Sequence, residues 1–153
     1  MNQDPRVEAF ECLYNDRSAP VWANTYYMGL PCQKYPSDMW MYQEILVSHR
    51  PDLVIETGSF AGASALAMAH LMDALQMGRV ISVDVEDRPR PTHPRIQWVQ
   101  GSSVDPAIVA MLTEEARSAE RCMVILDSDH SEQHVRAELE AQGKLLEAQR
   151  LKM

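Results

Sequence analysis

Four short apolar runs set the rhythm of the chain: Leu53–Glu56, Val80–Asp84, Ile96–Gln100 and Met123–Asp127. Most are near-continuous rather than alternating. That is the pattern of strands covered on both faces, as in a parallel sheet. Stretches with apolar spacing of three and four separate them. Residues 7–17 place Val7, Phe10 and Tyr14 on one side of a short amphipathic helix. Ser37 or Asp38 can cap a helix running to about His49, with Trp40, Ile45 and Leu46 among its buried residues and Pro51 just beyond its end. An alanine- and methionine-rich helix follows over about residues 61–76, closed by Gly78. Asp105 caps and Pro106 opens a helix to about Arg117. Ser131 caps the last helix, where Val135, Leu139 and Leu146 share a face and Gly143 is a weak point.

Two stretches break the rhythm. Residues 86–94 hold three prolines and several charges and read as a loop. Residues 18–36 crowd Trp22, Tyr26, Tyr27 and Tyr35 together with Pro20, Pro31, Pro36 and Gly29, and the prolines disfavour a regular element. Rings packed on the core are the favoured reading there, ahead of a lid over a site. The alternation of strand and helix predicts an α/β fold, a Rossmann-like parallel sheet of about four strands with flanking helices and right-handed crossovers. The 153 residues suit one compact unit. Within it, residues 1–50 form a helical and aromatic-rich segment and residues 51–153 a cofactor-binding domain.

Composition narrows the partners. A net charge of −8 argues against nucleic acid or an anionic membrane, but not against one small zwitterionic cofactor. Cys12, Cys32 and Cys122 have no metal-ligand spacing and no even disulfide framework. They fit a reducing cytoplasm. The first residues carry no signal-peptide pattern, and no apolar run is long enough to span a bilayer. The expected location is therefore cytoplasmic. The ten methionines scatter, as gap-fillers do.

The candidate chemistry lies at the strand ends. Glu56, Asp84 and Asp127 each close an apolar run, so parallel strands bring all three to one edge. Clustered carboxylates are costly there unless they meet donors, hydroxyls or a cation. A carboxylate at the end of the second strand can accept from both ribose hydroxyls of a nucleoside. The turn after Glu56 has Gly58 and Gly62 but lacks the middle glycine of a dinucleotide fingerprint and the Gly-Lys-Ser/Thr of a phosphate loop. That disfavours an NAD-dependent oxidoreductase. The spacing Glu-x-Gly-x-x-x-Gly-x-Ser, from Glu56 to Ser64, resembles motif I of the class I S-adenosylmethionine-dependent methyltransferases.

A wider set of residues carries a more specific resemblance. It comprises Gly29-Leu30-Pro31-Cys32-Gln33-Lys34-Tyr35-Pro36-Ser37-Asp38-Met39-Trp40, Tyr42-Gln43-Glu44-Ile45-Leu46 and Pro51 through Ser59. It continues with Gly78 through Asp84, Gly101-Ser102-Ser103 and Leu126-Asp127-Ser128-Asp129-His130-Ser131. From about residue 22 to Leu139 their order resembles the cephalosporin hydroxylase family, which includes rhamnosyl O-methyltransferases. The resemblance implies methyl transfer from S-adenosylmethionine to a hydroxyl of a small molecule or a glycolipid sugar. Gly58 and Gly62, with Thr57 and Ser59 in the same turn, would approach the methionine part of the cofactor. Glu56 would help hold that end and Ser64 would support the turn. Asp84 would take the ribose. Gly101, Ser102 and Ser103, with Asp105, would line the adenine side. Asp127 would hold a divalent cation such as Mg2+ or the cofactor's amino group. His130 would act near the acceptor hydroxyl and Lys34 would reach cofactor or substrate. His134, one turn after His130, makes a poor partner to it as a metal ligand, because hard cations prefer oxygen. His49, His70 and His93 read as structural or solvent-exposed.

The chain departs from the family after Glu138-Leu139-Glu140. The family continues through a glycine turn into a fifth strand ending in further acids, whereas this chain reads Ala141-Gln142-Gly143-Lys144-Leu145-Leu146-Glu147 and stops at Met153. The expectation is a C-terminally truncated form. Its fourth strand is then an exposed edge or is covered by the last helix. The rival reading is a non-enzymatic remnant that binds cofactor or pairs with a second copy through that edge. A hydroxylase is suggested by the family's name alone, since no facial-triad spacing for iron is present.

Overall fold

The computed structural model describes residues 4–14 and 21–150, and the side chains of all of these except 144 and 146–150. Helix α1 (Pro5–Tyr14) leads, followed by a 3-10 turn, Trp22–Asn24, and a short antiparallel hairpin of β1 (Tyr26–Tyr27) and β2 (Leu30–Pro31). Helix α2 (Pro36–His49) then leads to β3 (Leu53–Thr57), α3 (Ala63–Ala74), β4 (Arg79–Asp84) and β5 (Ile96–Gln100). Helix α4 (Pro106–Ser118), β6 (Cys122–Leu126) and α5 (Glu132–Arg150) complete the chain.

The four long strands are parallel, in the order β5-β4-β3-β6. The chain starts at β3, builds outward through β4 and β5, then crosses back to lay β6 on the other side of β3. That reversal is a topological switch point, and ligands of open parallel sheets sit beyond the strand ends there. Strand residues alternate between faces. Leu53, Ile55, Ile81 and Val83 pack with Leu112 and Ala116 of α4 and Leu145 of α5. Val54, Val80 and Ile125 pack on the other face with Leu46 of α2 and Ala65, Met68 and Met72 of α3. Burying each large aliphatic chain stabilises the fold by roughly 1.5–3 kcal/mol. Among the described residues no helix is long and apolar enough to cross a membrane.

Several local expectations are corrected. The segment around Tyr26–Pro31 is regular after all. Met28 and Gly29, both at positive φ, make the turn a right-twisted hairpin accepts, and Pro31 sits in a strand short enough to spare its missing donor. Tyr35, with no side-chain cap, precedes α2, and Pro36 opens it, so neither Ser37 nor Asp38 is the cap. Trp40 is 66% exposed, with its indole N–H donating to Glu44 on the same helix. In α1, Val7 and Phe10 are exposed and Tyr14 is buried. Residues 15–17 of the expected helix and 18–20 of the aromatic stretch lie outside the described residues. Helix α3 ends at Ala74 with Leu75 as its cap, and Gln76 beyond it takes a positive φ, so Gly78 opens the approach to β4 rather than closing the helix. Asp105 caps α4 as expected, accepting from Ala107 N at 2.8 Å and Ile108 N at 3.3 Å.

The largest correction concerns α5. Val135 and Leu139 face outward, Leu139 at 59% exposure, while Glu138, Gln142 and Leu145 are buried. The side chain of Leu146 lies outside the described residues.

Candidate active site

Motif residues converge at the carboxyl ends of β3, β4 and β6. A cavity of about 560 Å³ opens there. Its wall includes Lys34, Gly58, Ser59 and Ser64, then Asp84, then Gly101, Ser102 and Ser103, and finally Asp127 and His130. Glu56, Thr57, Gly62 and Asp105 are not part of that wall, and each has another task.

Glu56 is fully buried on the α3 side of the sheet. Its Oε1 accepts from Ser64 Oγ of α3, and its Oε2 accepts from Ser82 Oγ of β4 at 2.6 Å. Because Ser82 gives its proton to Glu56, the 2.6 Å contact between Ser59 and Ser82 must have Ser59 as donor. Glu56 therefore shapes the turn through three hydroxyls and does not reach a ligand directly. Burial pushes its carboxyl above the usual range, with Lys34 and the serine hydroxyls pulling the other way.

The glycines serve backbone and packing. Gly58 has φ +85°, and a Cβ there would sit 1.9 Å from the Asp127 carbonyl oxygen. Its bareness lets the exits of β3 and β6 touch, with Asp127 N donating to Thr57 O at 3.1 Å. A Cβ on Gly62, at φ +81°, would meet the Trp98 ring at 2.8 Å. Gly62 is thus kept small by Trp98 rather than by a ligand. Phe60 between them also takes a positive φ, and its N–H donates to Asp84 Oδ2 at 2.7 Å.

Asp84 ties two walls together. Besides Phe60, it accepts from Glu86 N on Oδ1 at 2.9 Å, and Arg90 lies 3.6 Å from Oδ2. Arg90 is a residue that the sequence reading missed. Its buried guanidinium also donates to Phe60 O and Glu86 O and lies 5.5 Å from the Trp98 ring. The proline-rich loop gave little local sign of this, since Phe60, Asp84 and Trp98 lie outside it. Glu86 and Phe60 were likewise given no role, Cys32 entered only as part of a motif and His134 only as a poor metal ligand, yet all four line the cavity. Burial raises the Cys32 thiol, so it stays protonated.

Lys34 is the cation beside Asp127. Its side chain is 8% exposed and ion-paired with Asp127 Oδ2. Burial alone would lower its pKa. The Glu56 charge and the Asp127 hydrogen bond more than offset that and hold it above the ordinary lysine value. The backbone of Lys34 is fixed by the Tyr14 hydroxyl, which donates to Lys34 O at 3.1 Å, and Tyr14 stacks on Tyr35 with ring centroids 4.2 Å apart. His130 is the opposite case: its side chain is 82% exposed, with Nε2 3.6 Å from Asp127 Oδ1.

Two ligand classes can be tested against these groups. Among the described residues no three His, Cys, Asp or Glu side chains assemble as a metal-ligand set. The positive charge beside Asp127 is a lysine, so these side chains do not by themselves make a divalent-cation site. A nucleoside carrying an amino-acid tail fits better. The volume lies in the small-ligand range, carboxylates suited to ribose hydroxyls stand at one side, and the first turn of α3, Ala63 and Ser64, borders the cavity where an α-carboxylate is favoured.

The family model described as "Rhamnosyl O-methyltransferase/CmcI" matches residues 19–150. The rhamnosyl O-methyltransferase of Mycobacterium tuberculosis (strain ATCC 25618 / H37Rv) is 42% identical over 134 residues, covering 84% of this chain and 55% of that protein. That of Mycobacterium leprae (strain TN) is 41% identical over 133 residues, covering 84% of this chain and 58% of its own length. The chain thus spans little more than half of the curated relatives it matches. A solved structure described as "cmcI-D160 Mg-SAM" superposes with a TM-score of 0.63 at 18% identity, covering 95% of this chain and 62% of that one.

Proposed function

The chain belongs to the rhamnosyl O-methyltransferase/CmcI family, and on that premise we propose that it binds S-adenosylmethionine at the sheet edge for methyl transfer to a hydroxyl of a sugar or other small molecule. One observation carries the reading. The Gly58 turn, the Asp84–Glu86 segment, the Gly101–Ser103 loop and the Asp127–His130 segment wall a single cavity at the switch point of a parallel sheet.

When bound, the cofactor supplies a methyl on a positively charged sulfur, which an acceptor oxygen displaces in line, so that an O–C bond forms as the C–S bond breaks. The chain's own residues position the partners, which is most of what such a displacement needs. Asp84 and Glu86 take the ribose hydroxyls, and Gly101–Ser103 border the base. Glu56 holds Ser59 and Ser64 in place beneath the methionine end. Lys34 keeps Asp127 compensated in a half-buried site. His130, exposed to the cavity mouth beside Asp127, receives the proton that the acceptor hydroxyl loses. The hairpin and α2, which deliver Lys34, act as the segment that covers the cofactor, and residues 51–150 hold it.

The relatives named as rhamnosyl O-methyltransferases support a sugar hydroxyl as acceptor. The test is calorimetric titration with S-adenosylhomocysteine, the product that keeps the nucleoside and amino-acid groups of the cofactor. Micromolar binding that Asp84→Ala weakens is the expected result. No heat at millimolar ligand would sink the proposal.

A further inference from the structure

The inner face of α5 is built inside out. His134, Glu138 and Gln142, four residues apart, line the side turned to the protein, while Leu139 faces water. Burying a carboxylate and an amide costs several kcal/mol unless both find partners. The partners are specific. Ser128 Oγ donates to Glu138 Oε1 at 2.8 Å, His134 Nε2 lies 3.6 Å from the same oxygen, and Ser103 Oγ lies 3.2 Å from His134 Nε2. Gln142 Nε2 donates to Ser103 O at 3.4 Å, and its buried Oε1 has no partner among the described residues. Helix α5 thus bears on Ser103 from two sides, and both Ser103 and His134 line the cavity.

The protons of this cluster can be placed. The side chain of Glu138 is 2% exposed, and its carboxylate only accepts. A bare imidazole nitrogen beside it would be repelled, so in neutral His134 the proton sits on Nε2, between Glu138 and Ser103. Ser103 Oγ is then an acceptor toward His134. Its single hydroxyl proton must point elsewhere, and the open direction is the cavity. Outside α5, the Asp129 carboxylate interacts electrostatically with His134. Asp129 accepts from Ser131 N at 2.8 Å.

We infer that His134, its tautomer fixed by Glu138, is a positioning residue that makes the Ser103 hydroxyl a donor toward the nucleobase and so selects adenine over 6-oxopurines. Adenine offers unprotonated ring nitrogens on its pairing edge. Hypoxanthine carries a proton on N1, which would face the serine proton. Sites that hydrogen-bond a ligand edge reject analogues that mismatch it, because a buried polar group is left unpaired. This rests on the cofactor reading above.

The test compares S-adenosylhomocysteine with S-inosylhomocysteine by calorimetry in one buffer. The wild-type chain is expected to prefer the adenosyl ligand by about tenfold. His134→Phe should bring the ratio to within about threefold of one, and Ser103→Ala should do the same. The double variant should lose little more than either single one, because the two act as one unit. Additive losses, or an unchanged ratio in His134→Phe, would overturn the inference while leaving the cofactor reading standing. Absence of S-adenosylhomocysteine binding in the wild type removes both. Should His134→Phe not fold, Ser103→Ala puts the same question, because it removes the hydroxyl that His134 orients. A preserved ratio there refutes the inference.

Discussion

Gly58→Ala probes the contact on which the whole edge depends. The backbone at Gly58 has φ +85°, a region that costs an alanine about 1–2 kcal/mol. The added Cβ would lie 1.9 Å from Asp127 O, 2.5 Å from Asp127 C and 2.9 Å from Ser128 Cα. All three are main-chain atoms, so no rotamer change relieves the overlap. The exit of β6 must move by about 1 Å, against the Asp127 N to Thr57 O bond, and such overpacking adds about 1–3 kcal/mol. The total is about 2–5 kcal/mol, a fall in Tm of about 4–20 °C for a chain of this size. Gly29→Ala is the control. Its φ is +82°, but nothing lies within 4 Å of its added Cβ, so it pays the conformational cost alone. Thermal melts of both variants, followed by circular dichroism in one buffer, isolate the collision as the difference between them. The same displacement parts Asp127 from Lys34, so S-adenosylhomocysteine affinity should fall in Gly58→Ala and hold in Gly29→Ala. If the two variants melt together, the account of how β3 and β6 meet is wrong.

Two further outcomes follow from single positions. Gly143 lies inside α5 with nothing within 4 Å of an added Cβ, so Gly143→Ala should stabilise by about 0.5–1 kcal/mol and raise the Tm by about 1–4 °C; a lower Tm would show that this stretch is not helical in solution. Glu56 has its carboxyl raised by burial, so the folded state keeps that proton to higher pH than the unfolded chain, and stability falls as pH climbs from the ordinary glutamate value through the raised one. Glu56→Gln removes this contribution, and urea midpoints measured against pH should decline less steeply for it than for the wild type. Parallel curves would count against a Glu56 carboxyl raised by burial.

The sheet was legible because its signal is local. Four apolar runs each span one strand, and their ends differ from the observed ones by a residue or two, as with Thr57 joining β3 and Asp127 leaving β6. The cap at Asp105 was legible for the same reason, since its partners are two and three residues away. The buried face of α5 was not. Its apolar spacing favours Val135 and Leu139, but its polar face meets Ser128 and Ser103, the latter 31 residues from His134 and 39 from Gln142. No helix-length window along the chain contains the two Ser103 pairs. The role of Gly62 hid likewise, because the ring it admits belongs to Trp98 on β5.

The three strand-end acids read alike in sequence and differ because of pleat and depth. Glu56 shares its face with Val54, and Asp84 shares it with Val80 and Ser82, so both lean toward α3. Glu56 lies one residue before the strand end, beneath the start of α3, and is sealed from water by Ser64. Asp84 is the last residue of its strand, where the helix has already given way to the turn, and it accepts from Phe60 N while still bordering the cavity. Asp127 has left the pleat altogether and meets Lys34, which arrives from the N-terminal segment. One step along a strand at this edge therefore decides between a buried brace, a ligand-side acceptor and half of an ion pair. The consequence is a division of labour at one motif. Changing Glu56 acts on the turn and on stability, whereas changing Asp84 or Asp127 acts on what the cavity can hold.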